Sequence, residues 1–310
     1  MTQEPSGPSA VTLDRVVKRY GPRLALDAIT LEIPRGAVCA LVGPNGSGKT
    51  TTMGVIAGLL HYESGRVDVL GRGPFAAPSH AGLVSVMPQD AVPSQHLAIA
   101  DILRYYAELQ GLGASTATQE AQRRLEQVHL ADRGRARYGE LSHGMRRRFS
   151  VAQALLGHPE LVLLDEPTSG LDPELVVQIR EIIASLAGNA TVLVSSHVLS
   201  ELEAMCDHAI FIDAGRVVHQ GRMDQLKAAS RLVRYTLTSM PDLRALELGL
   251  EGAAVSWAAP ILSVVAPQSQ SVERTNELCL SALLHQQVGI LRVDPGQALE
   301  QTYLELKRKA

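Results

Sequence analysis

Apolar positions along this chain follow two rhythms. Short apolar or alternating runs at residues 11–20, 29–33, 37–42, 67–70, 83–87, 161–164 and 191–194 predict strands. Of these, 37–42, 161–164 and 191–194 are almost continuously apolar, the pattern of strands buried on both faces. Between them the period lengthens. Residues 49 to about 60 read as a helix, and 97–137 as mostly helical with a break at 111–114. Within that stretch Ala121, Leu125 and Val128 mark one apolar face, with Arg123, Arg124 and Gln127 off it. Strands separated by helices at this spacing predict a mostly parallel α/β sheet.

Near residues 227–231 the character changes. Runs at 232–237, 254–265 and 288–293 predict strands, and 243–250, 273–287 and 298–309 predict helices. The pattern divides the chain into a Pro-, Ser- and Gly-rich tail at 1–10, a main domain at 11–228 and a small α+β appendage at 229–310. The appendage carries no motif that reads as chemistry.

Composition narrows the function classes. The 310 residues are 45% apolar and 20% charged, ordinary for a folded domain, and the formal charge of −3 excludes a chain built to coat nucleic acid. Cys39, Cys206 and Cys279 form no Cys-x-x-Cys pair and read as reduced structural thiols, which places the chain in the cytosol. No apolar run reaches the length of a membrane span, and the first ten residues lack the basic start and apolar centre of a signal peptide.

Two segments carry chemistry. Gly43-Pro44-Asn45-Gly46-Ser47-Gly48-Lys49-Thr50 fits the phosphate-loop pattern GxxxxGK[ST], with a buried strand before it and a helix after it. Glycines let the backbone close round phosphates, Lys49 supplies a cation, and Thr50 offers a hydroxyl to Mg²⁺. The helix aims its positive end at the same anion. Residues 161–166, Leu-Val-Leu-Leu-Asp-Glu, are an apolar strand ending in two carboxylates. In parallel sheets ligands bind beyond the carboxyl ends of the strands. Asp165 is therefore placed to hold Mg²⁺, and Glu166 to polarise an attacking water.

Together with four further segments, these motifs resemble the ATP-binding cassette family from about residue 11 to 225. Tyr20, in Lys-Arg-Tyr-Gly, matches the aromatic that stacks on adenine. Gln89, in Met-Pro-Gln-Asp, matches the glutamine that reaches metal and water. Leu141-Ser142-His143-Gly144-Met145 resembles the signature LSGGQ, with His143 in place of a glycine and Met145 in place of glutamine. Ser142 and Gly144 remain, and would cap a helix whose N-terminus meets the γ-phosphate held by a second subunit. Ser169-Gly170-Leu171-Asp172 resembles the loop linking the two active sites, and His197 the histidine at the γ-phosphate.

The resemblance implies a P-loop cassette: a mixed-sheet core, an antiparallel β subdomain and a helical subdomain at about 90–140. It implies ATP and Mg²⁺ as cofactors. Glu166, Lys49 and His197 would be catalytic, and Thr50, Gln89 and Asp165 would hold the metal. The remaining nucleotide contacts would come from Tyr20, residues 43–51 including Thr51, and Ser142 and Gly144. The partners implied are integral-membrane permease subunits and a second ATP-binding subunit, identical or homologous, at the cytoplasmic face of the membrane. The segments 97–107, 141–145, 170–173 and 299–306 resemble exporters of the drug, sodium and copper-site-maturation type.

Two other readings compete. Translation-type cassette ATPases carry two cassettes in one chain, and repair-type members split the cassette with a long coiled coil. Here there is one motif set, with Lys49 and Asp165 only 116 residues apart. A regulatory module with a dead site draws support from His143 and Met145 alone. Arg146-Arg147-Arg148, with no interleaved aromatics, reads as a solvated helix face beside the nucleotide rather than a nucleic-acid patch.

Overall fold

The computed structural model describes residues 8–87, 92–196, 198–229, 231–250, 252–267, 269–295 and 299. In the first part of the chain the order is β1 (Ser9–Tyr20), β2 (Arg23–Pro34), β3 (Val38–Val42), α1 (Lys49–Ile56), β4 (Ser64–Val69), α2 (Ala77–His80) and β5 (Val84–Met87). There follow α3 (Ile99–Leu109), α4 (Ala114–Gln127), α5 (His143–Ala154), β6 (Leu161–Asp165), α6 (Pro173–Ala184), β7 (Thr191–Ser195), α7 (Leu199–Met205), β8 (His208–Asp213) and β9 (Arg216–Arg222). The chain divides into two compact units after Met223.

Two sheets build the first unit. The larger has the order β5-β6-β7-β3-β8-β9, parallel from β5 to β8 with β9 antiparallel at its edge. The smaller is antiparallel, β2-β1-β4. Every residue of β3, β6 and β7 is buried, as continuous apolar runs require in a sheet covered on both sides. One apolar core joins the two sheets. It runs from Leu13, Val16, Leu26 and Ile29 through Met53 and Ile56 of α1 to Leu163, Leu193 and Ile210. The sequence pattern underestimates β2, which begins at Arg23 because the Gly21-Pro22 turn reverses the chain directly into it. It overextends α1, which ends at Ile56 when Gly58 (φ +68°) turns the chain away.

The helical segment uses amphipathic faces. α3 buries Ile99, Ile102, Leu103 and Ala107, and α4 buries Ala117, Ala121 and Leu125. α5 ties this segment to the main sheet through contacts with β5 and β6. Its Phe149 is fully buried and meets Tyr138 edge-on, ring centroids 5.3 Å apart.

The second unit comprises most of α8 (Met223–Ala229), then β10 (Leu232–Leu237), α9 (Leu243–Gly249), β11 (Ala254–Ala258), β12 (Ile261–Val265), α10 (Val272–His285) and β13 (Ile290–Pro295). The run predicted as a single strand at 254–265 is a hairpin, reversed at Ala259-Pro260. Proline interrupts the ladder there because it has no N–H to donate. The four strands pair antiparallel in the order β11-β12-β10-β13, the split βαββαβ arrangement. Tyr235, Leu246, Leu262, Cys279 and Leu283 form its core. The predicted helix at 298–309, and all of 299–306 but Leu299, lie outside the described residues.

Candidate functional site

β3 ends at Val42 and the chain wraps into the loop 43–48 before α1 begins. The wrap is tight because it lacks side chains. A Cβ on Gly43 would sit 2.2 Å from the Ile212 carbonyl and 2.6 Å from Ser47 Oγ. Gly48 caps α1 with φ +111°, a conformation closed to residues bearing a Cβ. The far side of the loop is pinned by β8–β9, where Gly215 N–H donates to the Ser47 carbonyl at 2.9 Å. The first N–H groups of α1 have no partner within the helix and face the loop's concavity.

Lys49 is almost buried, and its Nζ donates to the carbonyls of Gly43 (2.8 Å) and Pro44 (3.1 Å). Burial pushes its pKa below the ordinary lysine value, and the carboxylates of Glu166 and Asp165 oppose that shift. Thr50 Oγ1 donates to Asp165 Oδ2 at 2.8 Å, and Ser195 Oγ at the end of β7 donates to the other carboxylate oxygen. Loop, helix start and acidic strand end thus meet at one point.

Glu166 follows β6 in the left-handed region, φ +53°. A non-glycine residue is held there only where its surroundings brace it. Its N–H donates to the carbonyl and Oγ of Ser195, both at 3.1 Å. Arg147 of α5 donates to the carbonyls of Asp165 (3.1 Å) and Glu166. Glu201 of α7 accepts from Thr168 at 2.5 Å and Ser196 at 3.4 Å, fixing the segment after the acid pair.

Lys49, Thr50, Asp165 and Glu166 line a cleft of about 660 Å³ together with Tyr20, Arg23, Ala25, Asn45, Gly46, Gly48 and Thr51. Tyr20 is half exposed, with the Lys18 ammonium 5.3 Å from its ring centroid. An exposed aromatic, a concave amide-lined loop and a cation fit a base, a phosphate chain and its charge. A nucleoside triphosphate matches the donor set. Ser47 Oγ, buried with no protein partner among the described residues, is a hydroxyl left over inside the same loop. A divalent cation fits the paired oxygens of Thr50 and Asp165. No cluster of three or more acidic, His or Cys ligands occurs among the described residues, so such a cation would take most of its shell from phosphate and water, the habit of Mg²⁺.

The signature segment stands at the start of α5. Ser142 is the N-cap and its Oγ accepts from Met145 N–H at 3.3 Å. The His143 ring leans on Gly170, where a Cβ would come within 2.7 Å of it, and Leu171 closes over Gly144. Ser142 and Gly144 do not line the cleft. Gln89 and His197 lie outside the described residues.

The three arginines after the signature are not a solvated face. Each is half-buried and reaches a different carbonyl set: Arg146 to Gly139 and over the Tyr138 ring, Arg147 to Asp165 and Glu166, Arg148 to Val128 and His129. Their long side chains span from α5 to its neighbours, which residue type alone does not reveal. Arg147, Ser195 and Glu201 are the supporting groups sequence reasoning missed. Ser195 alone had a signal, as the first polar residue after the apolar run at 191–194. Arg147→Met keeps the side chain's bulk and removes the bonds to the acid segment. Charge-assisted bonds of this kind are worth about 1.5–3 kcal/mol, so kcat should fall roughly 10- to 100-fold. ATP affinity should stay within about twofold, read by steady-state hydrolysis beside equilibrium binding.

Comparison with known proteins places this geometry in context. The family model described as ABC transporter matches residues 26–169. The daunorubicin resistance ATP-binding protein DrrA3 of Streptomyces coeruleorubidus is 38% identical over 253 residues, covering 80% of this chain and 77% of that protein. The Nod factor export ATP-binding protein I of Cupriavidus metallidurans is 37% identical over 213 residues, covering 68% and 70% of the two chains. Among solved structures, an ATP-binding subunit of an ABC transporter superposes with a TM-score of 0.64 at 26% identity, covering 71% of this chain and 92% of that one. A nucleotide-free ATP-binding cassette, at 24% identity and a TM-score of 0.61, shares the fold.

Proposed function

The chain belongs to the ABC transporter family, and from that premise we propose that it is the ATP-hydrolysing subunit of an exporter, paired with a second ATP-binding subunit beneath separate membrane permeases. The observation that carries this reading is the convergence of Thr50, Lys49, Asp165 and Glu166 on one cleft that also opens to Tyr20. The two relatives described above are a drug-resistance and an export ATP-binding protein.

In this reading the base stacks on Tyr20 and residues 43–51 wrap the phosphates through backbone N–H groups. Lys49 leaves the loop carbonyls for the β and γ oxygens. Thr50, Asp165 and Gln89 would hold Mg²⁺, which supplies charge neutralisation across the β and γ phosphates. Glu166 orients and polarises the attacking water, while Arg147 and Ser195 hold its backbone. His197 contacts the γ-phosphate. Ser142 and Gly144, outside the cleft of their own chain, serve the nucleotide of the facing chain. Each ATP then joins two surfaces, and binding favours the closed pair because only that state makes both sets of contacts.

Every catalytic motif occurs in one chain, which supports a homodimer; a mixed pair with a homologue uses the same geometry. The cassette would occupy residues 11–228, with its helical part at about 90–140, and 229–310 would be an accessory unit. No helix among the described residues is long and apolar enough to cross a membrane. The pore then belongs to the permeases, with this chain at their cytoplasmic face.

The test is concentration dependence. Specific ATPase activity should rise with protein concentration until the chain is dimeric by light scattering, and chelation of Mg²⁺ should stop it. Strictly monomeric chains turning over ATP at the full rate would defeat the paired reading.

A further inference from the structure

Arg23 is the one cleft-lining residue whose chemistry the foregoing leaves unused. It opens β2 and stands opposite Tyr20 across the Gly21-Pro22 turn. The residue is exposed and has no carboxylate partner among the described residues. Its guanidinium is not aimed at open solvent. A Cβ on Gly46 would come within 3.1 Å of Arg23 Nη2, so the cation rests against the turn of the phosphate loop.

Some arginines of the first unit pair with a carboxylate: Arg15 with Asp14, Arg35 with Glu160, and Arg216 with Asp27. Arg23 instead lines the cleft beside the phosphate loop, whose backbone amides attract anions. A cation left beside an anion-attracting loop with no anion of its own is an incomplete site.

Its place along the cleft points to the anion that would complete it. Tyr20 marks the base end. Lys49, Thr50 and the carboxylates mark the end where the terminal phosphate reacts. Gly46, against which Arg23 rests, precedes Lys49 by three positions. The part of a nucleotide between base and terminal phosphate is the ribose with the α- and β-phosphates.

We propose that Arg23 binds the α- and β-phosphate oxygens of the nucleotide, clamping from the Tyr20 side a chain the loop holds from beneath. The proposal rests on the nucleotide reading of the cleft and names a contact within it. Two consequences separate it from a general electrostatic effect. The contact is common to ATP and ADP, so it retains product as well as substrate. It is also bidentate in kind, so lysine substitutes poorly for arginine.

The experiment is calorimetric titration of the full chain and of its R23Q and R23K variants with ADP, with the slowly hydrolysed ATPγS and with adenosine. R23Q should weaken ADP and ATPγS by the same factor, about 5- to 30-fold for one charge-assisted contact. It should leave adenosine within about twofold, and R23K should recover less than half of the loss on a logarithmic scale. The roughly 5- to 30-fold expected for the phosphates lies below the roughly 10- to 100-fold of Arg147 because Arg23 is exposed and partly screened. Circular dichroism confirms that each variant is folded. A loss confined to ATPγS would move the contact to the γ-phosphate and overturn the proposal, as would unchanged binding in R23Q. If the natural chain, folded, bound none of the three ligands, the nucleotide reading itself would fall, and with it this contact.

Discussion

Replacing Glu166 by glutamine is expected to cut ATP turnover by at least about 100-fold while leaving ATP bound, since removal of a positioned general base costs roughly that factor or more. The substitution is nearly isosteric. It leaves the backbone bonds to Ser195 and Arg147 intact, and glutamine tolerates the φ of +53° no worse than glutamate. What it removes is the charge that draws a proton from water. Asp165, engaged by Thr50 and Ser195 through both oxygens, is already occupied and cannot take over. In the proposed pair, where hydrolysis separates the two chains, the variant should accumulate as an ATP-bound dimer, read by light scattering. Equal rates for the natural chain and the variant would show that Glu166 does not serve the water.

Gly43→Ala is expected to abolish measurable ATP binding and to lower stability by about 3 kcal/mol, the upper part of the range for forcing atoms into a packed site. The added methyl would lie 2.2 Å from the Ile212 carbonyl, a backbone atom of β8 where it pairs with β9, and 2.6 Å from Ser47 Oγ. The carbonyl cannot swing aside as a long side chain would. The loop must therefore move away from β8, and the amides that face phosphate move with it. Gly71→Ala is the comparison. Nothing lies within 4 Å of a Cβ there, so only the cost of φ +75° applies, about 1 kcal/mol. Thermal melts and nucleotide titrations on both variants check the contrast.

The reactive core was legible because its chemistry is local in sequence. A phosphate loop needs its glycines, lysine and threonine consecutive, and an acidic strand end needs an apolar run followed at once by carboxylates. The buried strands were legible for a similar reason, since 37–42 and 161–164 have no polar residue to face water and 191–194 has only Thr191, itself buried. What stayed hidden is long-range. Arg147 and Glu166 are 19 positions apart, and nothing in either segment announces that a guanidinium will reach two strand-end carbonyls. Arg23 carries no motif, and acquires meaning from a turn that folds it beside Gly46. The hairpin at 254–265 was read as one strand because its apolar residues run on through the turn.

The strand order also governs how this polypeptide must be made. β3, which presents the phosphate loop, is flanked by β7 and β8 rather than by anything near it in the chain. Those partners emerge from the ribosome roughly 150 residues later, a wait on the order of ten to thirty seconds at ordinary rates of synthesis. Throughout it, Val38-Cys39-Ala40-Leu41-Val42 is a wholly apolar segment with no lateral neighbour, the kind of sequence that chaperones hold and that aggregates when they do not. Nascent chains halted before residue 191 should therefore be captured by holdase chaperones, and those extended past 213 released.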